Sequence, residues 1–234
     1  MNLVKRPSPN HDSRGPAPVD ILVLHYTGMP TGETALARLC DPAAKVSAHY
    51  LIDEDGTVYA LVPENMRAWH AGVSYWAGAR DINARSIGIE LVNPGHEFGY
   101  RAFPEKQIEA LIELAHTILA HHVIPAWRVL GHSDVAPMRK DDPGELFPWG
   151  RLAAEEIGLW PLLGNDPGEG AVRDLLTRYG YDPEADLEKV ITAFQRHFCP
   201  SRVPTPNKGI ADAETRALLA GLIALYDARK GERA

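Results

Sequence analysis

Ten histidines are spread along the 234-residue chain, and two stand apart by position. His25 comes at the end of the apolar, β-branched run Val19-Asp20-Ile21-Leu22-Val23-Leu24-His25-Tyr26, and His132 directly follows Val129-Leu130-Gly131. A histidine at the C-terminal end of a strand faces the crevice in which α/β sheets bind ligands. His49, His70, His96, His116, His121, His122 and His197 sit in settings that ask for no more than a satisfied core or surface imidazole. Beyond His132 a polar stretch interrupted by Pro137 leads to Asp142, ten residues on. An imidazole and a carboxylate so spaced, joined by His25, can close on one Zn²⁺ and leave a fourth position for water, which is a hydrolytic arrangement. The spacing matches no compact zinc motif, so Arg139-Lys140-Asp141-Asp142 also reads as a solvated charge cluster. Glu90, a carboxylate inside the apolar run Ser86-Ile87-Gly88-Ile89-Glu90-Leu91-Val92, calls for an explanation of its own.

These residues need elements to position them. Val19 to Tyr26 reads as a buried strand ended by Thr27-Gly28, and Thr31 to Leu39 as a short helix. Ser47 to Ile52 and Thr57 to Val62 flank Asp53-Glu54-Asp55-Gly56, whose Asp-Gly supplies the positive φ of a tight turn, so the segment is a hairpin. Ser86 to Val92 is a further strand. From Pro104, Ile108, Leu111, Ile112, Ala115, Ile118 and Leu119 recur at helical spacing to about His122. Val129 to Gly131 is a short strand, and Asp134 to Pro148 reads as irregular. Strands alternating with helices predict an α/β fold with a central mixed β-sheet flanked by helices. Leu162 to Gly170 has linker composition. Beyond it, helices over about 171–179, 187–198 and 213–225 predict a small three-helix domain. The expected division is 1–164 and 165–234.

Composition narrows the function. Apolar residues make up 45% and charged residues 24%, with a net charge of −7, which suits a soluble globular chain and carries no basic stripe for nucleic acid. No apolar run approaches the roughly 18 residues of a membrane span. Lys5-Arg6 is followed by the polar Pro7-Ser8-Pro9-Asn10-His11-Asp12, unlike a secretory signal, so a cytoplasmic location is expected. Cys40 and Cys199 are expected to be small buried thiols without a disulfide.

Five ordered blocks resemble one family. They are His25-Tyr26-Thr27, Val46-Ser47-Ala48-His49-Tyr50-Leu51-Ile52, Ala68-Trp69-His70-Ala71-Gly72, Ser86-Ile87-Gly88-Ile89-Glu90-Leu91 and the run Gly131 to Gly144. Together they look like the zinc N-acetylmuramoyl-L-alanine amidases of the bacterial muropeptide-recycling type. The C-terminal part resembles, less closely, a peptidoglycan-binding three-helix module, through Ala193-Phe194-Gln195-Arg196 and Gly209-Ile210-Ala211-Asp212-Ala213-Glu214-Thr215. The resemblance implies Zn²⁺ on His25, His132 and Asp142, with Glu90 as the acid–base residue and Lys140 as the basic catalytic residue. It also implies substrate contacts from Arg67, Trp69, His70 and Asn83. The chain departs from the pattern at Asp81, where relatives often carry an Arg; Arg80 lies beside it. The implied activity is hydrolysis of the amide between N-acetylmuramic acid, or its 1,6-anhydro form, and L-alanine, by a monomer acting on peptidoglycan or muropeptides. Two alternatives share these features: a recognition protein that holds muropeptides without cutting them, and a phage-type lysin. The wall-binding resemblance makes a periplasmic or wall-associated location the alternative to the expected cytoplasmic one.

Overall fold

The computed structural model describes residues 2–232. In chain order the first elements are β1 (Leu3–Lys5), β2 (His11–Ser13), β3 (Ile21–Tyr26), α1 (Gly32–Cys40), β4 (Tyr50–Ile52), β5 (Val58–Ala60), β6 (Met66–Ala68), α2 (Ile82–Arg85) and β7 (Ser86–Leu91). They are followed by α3 (Gly95–Phe98), α4 (Glu105–His121), β8 (Val129–Gly131), α5 (His132–Val135), α6 (Trp149–Ala154), α7 (Val172–Tyr179), α8 (Leu187–Phe198) and α9 (Ala213–Gly231). Six strands form one sheet in the order β1-β5-β4-β7-β3-β8, and β2 pairs with β6 separately. Within the large sheet only the β4–β5 hairpin is antiparallel, so the sheet is mixed, as expected.

The predicted strands and long helices form, with local differences. The hairpin strands shrink to Tyr50–Ile52 and Val58–Ala60, turned by Gly56 at φ +89°. Pro104 is the residue before the first helical turn of α4 rather than part of it, because its ψ of 146° is extended. A one-turn helix, α5, begins at His132, and α9 runs past Leu225. Cys40 is only half-buried, Cys199 is buried, and both thiols are free. Among the described residues, no helix is long and apolar enough to cross a membrane.

Strand alternation divides the core into two layers. Leu22 and Leu24 of β3, with Ile87, Ile89 and Leu91 of β7, pack against Leu111, Ala115 and Ile118 of α4. The opposite parity of β3, Ile21 and Val23, joins a second core with Leu130 and Val135. That second core continues without a break into Leu176, Phe194, Phe198, Leu219 and Leu222 of the C-terminal helices. β7 is therefore not an apolar strand with one misplaced carboxylate. Ser86, Gly88 and Glu90 share the face of His25, and Ile87, Ile89 and Leu91 the other, which is the period-2 pattern of a two-faced strand.

The linker-like stretch is held down onto α9. The Gly164 N–H donates to the Ala217 carbonyl at 2.8 Å, and Arg216 grips Asp166 through two bonds of 2.7 and 2.6 Å. Gly221 is required here, since a Cβ would lie 1.8 Å from the Leu162 carbonyl oxygen. Gln195, from the block that resembles a wall-binding module, is fully buried. Its side chain donates to the Asn207 and Ile210 carbonyls and accepts from the Gly209 N–H, stapling α8 to the loop before α9.

Candidate metal centre and catalytic cleft

Three adjacent parallel strands, β7, β3 and β8, point their C-terminal ends at one place. The register sets His25 of β3 beside Glu90 of β7 and Leu24 beside Gly131 of β8, one residue before His132. Ligand crevices of α/β sheets lie at such edges. The loop after His132 returns because the Ser133 N–H donates to the Asp142 carbonyl at 2.9 Å, which brings the Asp142 side chain against both imidazoles.

The result is a buried triangle. His25 Nδ1 lies 2.9 Å from His132 Nδ1, and each lies 3.0 Å from Asp142 Oδ2. Hydrogen bonding behind the rings decides which nitrogens carry protons. The Ser86 hydroxyl donates to the Ile82 carbonyl at 2.7 Å, so its oxygen accepts from His70 Nε2–H at 3.1 Å. His70 then offers its bare Nδ1 to His25 Nε2–H at 3.0 Å, which leaves His25 Nδ1 unprotonated. On the other ring, His132 Nε2–H donates to the Ala71 carbonyl at 3.1 Å, baring its Nδ1. Metal-bound imidazoles are oriented in this way, by a partner on the second nitrogen.

Electrostatics agrees with neutral His25 and His70 rings beside an ionised carboxylate. Burial, then His132, pushes His25 down to about 4. Burial, then His25, holds His70 well below the ordinary histidine value. Burial alone would raise Asp142, but proximity to His132 and then His25 outweighs it and holds its carboxyl well below the usual range. Three lone pairs at contact distance with no proton between them repel one another, and a cation removes that repulsion. Two imidazoles and one carboxylate suit Zn²⁺; ligands 2.0–2.1 Å from a tetrahedral ion stand roughly 3.3 Å apart, so the triangle need open by only a few tenths of an ångström. Among the described residues, these three form the one cluster able to hold a metal ion.

A cleft of about 360 Å³ opens over the triangle, with Tyr26, Trp69, Glu90, Arg139 and Lys140 in its wall. Glu90 Oε2 is buried without a hydrogen-bond partner. Burial and then Asp142 raise its carboxyl well above the ordinary value, while Lys140 lowers it. Of the other expected contacts, half-buried Trp69 faces the cleft. His70 also borders it, but the ring is 8% exposed and both nitrogens are used by His25 and Ser86. Asn83 accepts from the His70 and Ala71 N–H groups at 3.1 and 2.7 Å and holds that segment from behind. Arg67 pairs with Asp12 at 2.8 Å and Asp81 at 3.4 Å, away from the cleft wall. Asp81 caps α2, and Arg80 reaches Glu184 instead. Sequence reasoning missed Tyr26 and Arg139. The Arg139 guanidinium donates to the Val73 carbonyl at 2.9 Å and to the Ala71 carbonyl. The adjacency of Tyr26 to His25 and of Arg139 to Lys140 was the only signal for either.

A mixed sheet with a two-histidine, one-carboxylate centre at the C-terminal edge of its parallel strands defines the class: an α/β protein built around one candidate metal site. Residues 15–145 match the family described as N-acetylmuramoyl-L-alanine amidase (Amidase_2), and the chain belongs to that family. It is 41% identical over 237 aligned residues to N-acetylmuramoyl-L-alanine amidase AmiD of Escherichia coli K12, covering 89% of this chain and 83% of the relative. The 1,6-anhydro-N-acetylmuramyl-L-alanine amidase AmpD of Enterobacter cloacae is 37% identical over 63% of this chain and 87% of its own length. The fold matches the solved complex of E. coli AmiD with anhydro-N-acetylmuramic acid-L-Ala-D-γ-Glu-L-Lys at a TM-score of 0.79 and 38% identity, over 92% of this chain and 93% of that one. It matches Pseudomonas aeruginosa AmpDh3 with an anhydromuramic pentapeptide at 0.80 and 32% identity, over 94% and 95%.

Proposed function

We propose that this chain is a zinc-dependent N-acetylmuramoyl-L-alanine amidase that hydrolyses the amide between the lactyl group of N-acetylmuramic acid, or its 1,6-anhydro form, and L-alanine. The observation that carries the reading is the convergence of His25 Nδ1, His132 Nδ1 and Asp142 Oδ2 beneath a cleft that also holds Glu90 and Lys140. The substrate held by AmiD and the anhydromuramic pentapeptide held by AmpDh3 support muropeptides as the ligand class.

His25, His132 and Asp142 would hold the metal. When bound, zinc supplies Lewis acidity, polarising the scissile carbonyl and lowering the pKa of a water to about 7. Glu90, its Oε2 without a partner, is placed to accept the proton released as water attacks the carbonyl carbon. A carboxyl raised by burial and by Asp142 holds that proton readily and can return it to the leaving nitrogen of L-alanine as the C–N bond breaks. The Lys140 ammonium stabilises the oxyanion that develops on the carbonyl oxygen. Trp69 offers a flat apolar face to sugar or peptide. The segment 165–234 is assigned to engagement of polymeric substrate, on its resemblance to wall-binding modules.

The test is product analysis with purified protein on anhydro-muropeptide and on sacculi in parallel, with zinc determined by elemental analysis. One zinc per chain and release of a peptide with a free L-alanine amine are expected. Full zinc with tight muropeptide binding and no turnover would make the chain a recognition protein instead.

A further inference from the structure

The C-terminal helices do more than sit beside the catalytic sheet. The loop from His132 to Asp142 carries two of the three candidate metal ligands, and side chains from α8 and its approach hold it at both ends. At the first end, Asp134 is 1% exposed and follows His132 by two residues. Its Oδ2 accepts from the Gly131 N–H at 2.7 Å and from His197 Nδ1–H at 2.7 Å, and its Oδ1 accepts from the Tyr181 hydroxyl at 2.6 Å. Two of these three donors come from beyond residue 164. The His197 ring is stacked face to face between Trp149 (centroids 3.7 Å apart) and Phe198 (3.8 Å), which fixes the direction of its N–H. At the second end, Arg196, whose side chain is 7% exposed, pairs with Asp141 at 2.7 Å and approaches Glu145 at 3.8 Å. Asp141 is the residue before the ligand Asp142.

The loop is closed on itself by the one-turn α5 and the Ser133–Asp142 backbone bond, but these fix its backbone only locally, and the side chains of Asp134 and Asp141, beside the two ligands, are gripped from outside the loop. We propose that Arg196 and His197 are positioning residues for the metal centre, clamping the ligand loop by way of Asp141 and Asp134. The C-terminal helices then contribute to metal affinity and to turnover of small soluble substrates, as well as to any grip on polymer. The proposal rests on the reading of His25, His132 and Asp142 as the zinc site.

The experiment measures zinc affinity by competition with a chromogenic chelator in the full chain and in Arg196→Gln, Arg196→Lys and His197→Gln. Amide exchange at Gly131 and Ser133 is followed alongside, with kcat and KM on a small anhydro-muropeptide. Leu222→Ala serves as a control, because it opens a cavity in the same core from α9 and leaves the polar contacts of Arg196 and His197 with the loop in place. Clamping predicts zinc affinity about tenfold weaker in Arg196→Gln and His197→Gln, at the low end for outer-shell partners. It also predicts faster exchange at Gly131 and Ser133, a fall in kcat larger than any rise in KM, and partial rescue by Arg196→Lys. Leu222→Ala should lower the melting temperature and leave zinc affinity unchanged. Charge alone acts in the opposite direction, since removing a cation near the site would tighten zinc binding, so the sign of the Arg196→Gln effect is decisive. Arg196→Gln keeps a polar side chain facing the half-exposed Asp141, and Arg196→Lys keeps the charge as well, so this pair carries the test even if His197→Gln does not fold. Zinc affinity and exchange unchanged or improved in folded Arg196→Gln would overturn the proposal. A wild-type chain that binds no zinc would instead overturn the reading of the site.

Discussion

Replacing Gly88 with Ala should damage zinc binding from a strand position that touches no metal ligand. A Cβ at Gly88 would lie 2.5 Å from Cγ of His70 and 2.6 Å from its Cδ2 and Nδ1. Non-bonded carbons rest about 3.5–4.0 Å apart, so the His70 ring must withdraw by roughly 1 Å. His70 joins His25 at 3.0 Å to Ser86 at 3.1 Å, and a shift of that size breaks one bond or both. His25 then loses the partner that fixes its proton on Nε2 and its lone pair on the metal side. Loss of such a partner typically costs about 10- to 100-fold in metal affinity, or roughly 1.4–2.7 kcal/mol. Overpacking adds about 1–3 kcal/mol of destabilisation, offset in part by the roughly 0.4–1 kcal/mol that an added Cβ contributes by restricting the unfolded chain. The assay is zinc competition and chemical denaturation of Gly88→Ala, His70→Ala and the double variant. With the ring removed, the added methyl has room, so the double variant should resemble His70→Ala, giving a coupling of about 1–3 kcal/mol between two neighbouring sites. Wild-type zinc affinity in Gly88→Ala, or strictly additive effects, would refute the chain from Ser86 to His25. A rise in KM alone would return His70 to a role in substrate contact.

Glu90→Gln should keep zinc and lose about 10²- to 10⁴-fold in kcat, the span for removing an acid–base group; loss of zinc would mean that Glu90 is a ligand. Lys140→Ala should also keep zinc and lose roughly 10²- to 10³-fold, with near-normal kcat assigning oxyanion stabilisation to another donor such as Arg139. Asp142→Ala should lose metal and activity together, because two imidazoles hold zinc weakly, and dialysis against a chelator should silence the wild type until zinc is restored. Stability should fall on acidification. Burial and then Arg14 hold His49 down at about 3, so between pH 6.5 and 3 the unfolded chain binds a proton that the folded one refuses. The stability that neutral His49 permits is therefore complete above pH 6.5 and is lost as pH falls, about 2 kcal/mol by pH 5. Denaturation at pH 7.5 and 5.0 should show this difference flattened in His49→Gln, and parallel profiles would assign the acid lability elsewhere.

Much of the site was legible in the sequence because strand ends and helical periodicity are local properties. An apolar run closing on His25, another leading to His132 and an amphipathic helix after Pro104 sufficed to place two imidazoles at a sheet edge. Asp142 was ambiguous, since its approach depends on the Ser133–Asp142 backbone bond closing a loop that has no period. Glu90 looked out of place in an apolar strand until the two faces of β7 were resolved, one packed on α4 and the other turned toward His25. His70 does border the cleft, but its contact with Gly88 and its bonds to Ser86 and His25 were not legible, because they do not exist until β3 and β7 lie side by side. The same holds for the segment beyond residue 164. Its helices could be read one by one, but the core they share with Ile21, Val23 and Leu130, and the reach of Arg196 and His197 to the ligand loop, arise from side chains far apart in sequence. Local pattern determines which elements form and which face each one buries; which faces meet, and so which donors converge, depends on packing across the whole chain.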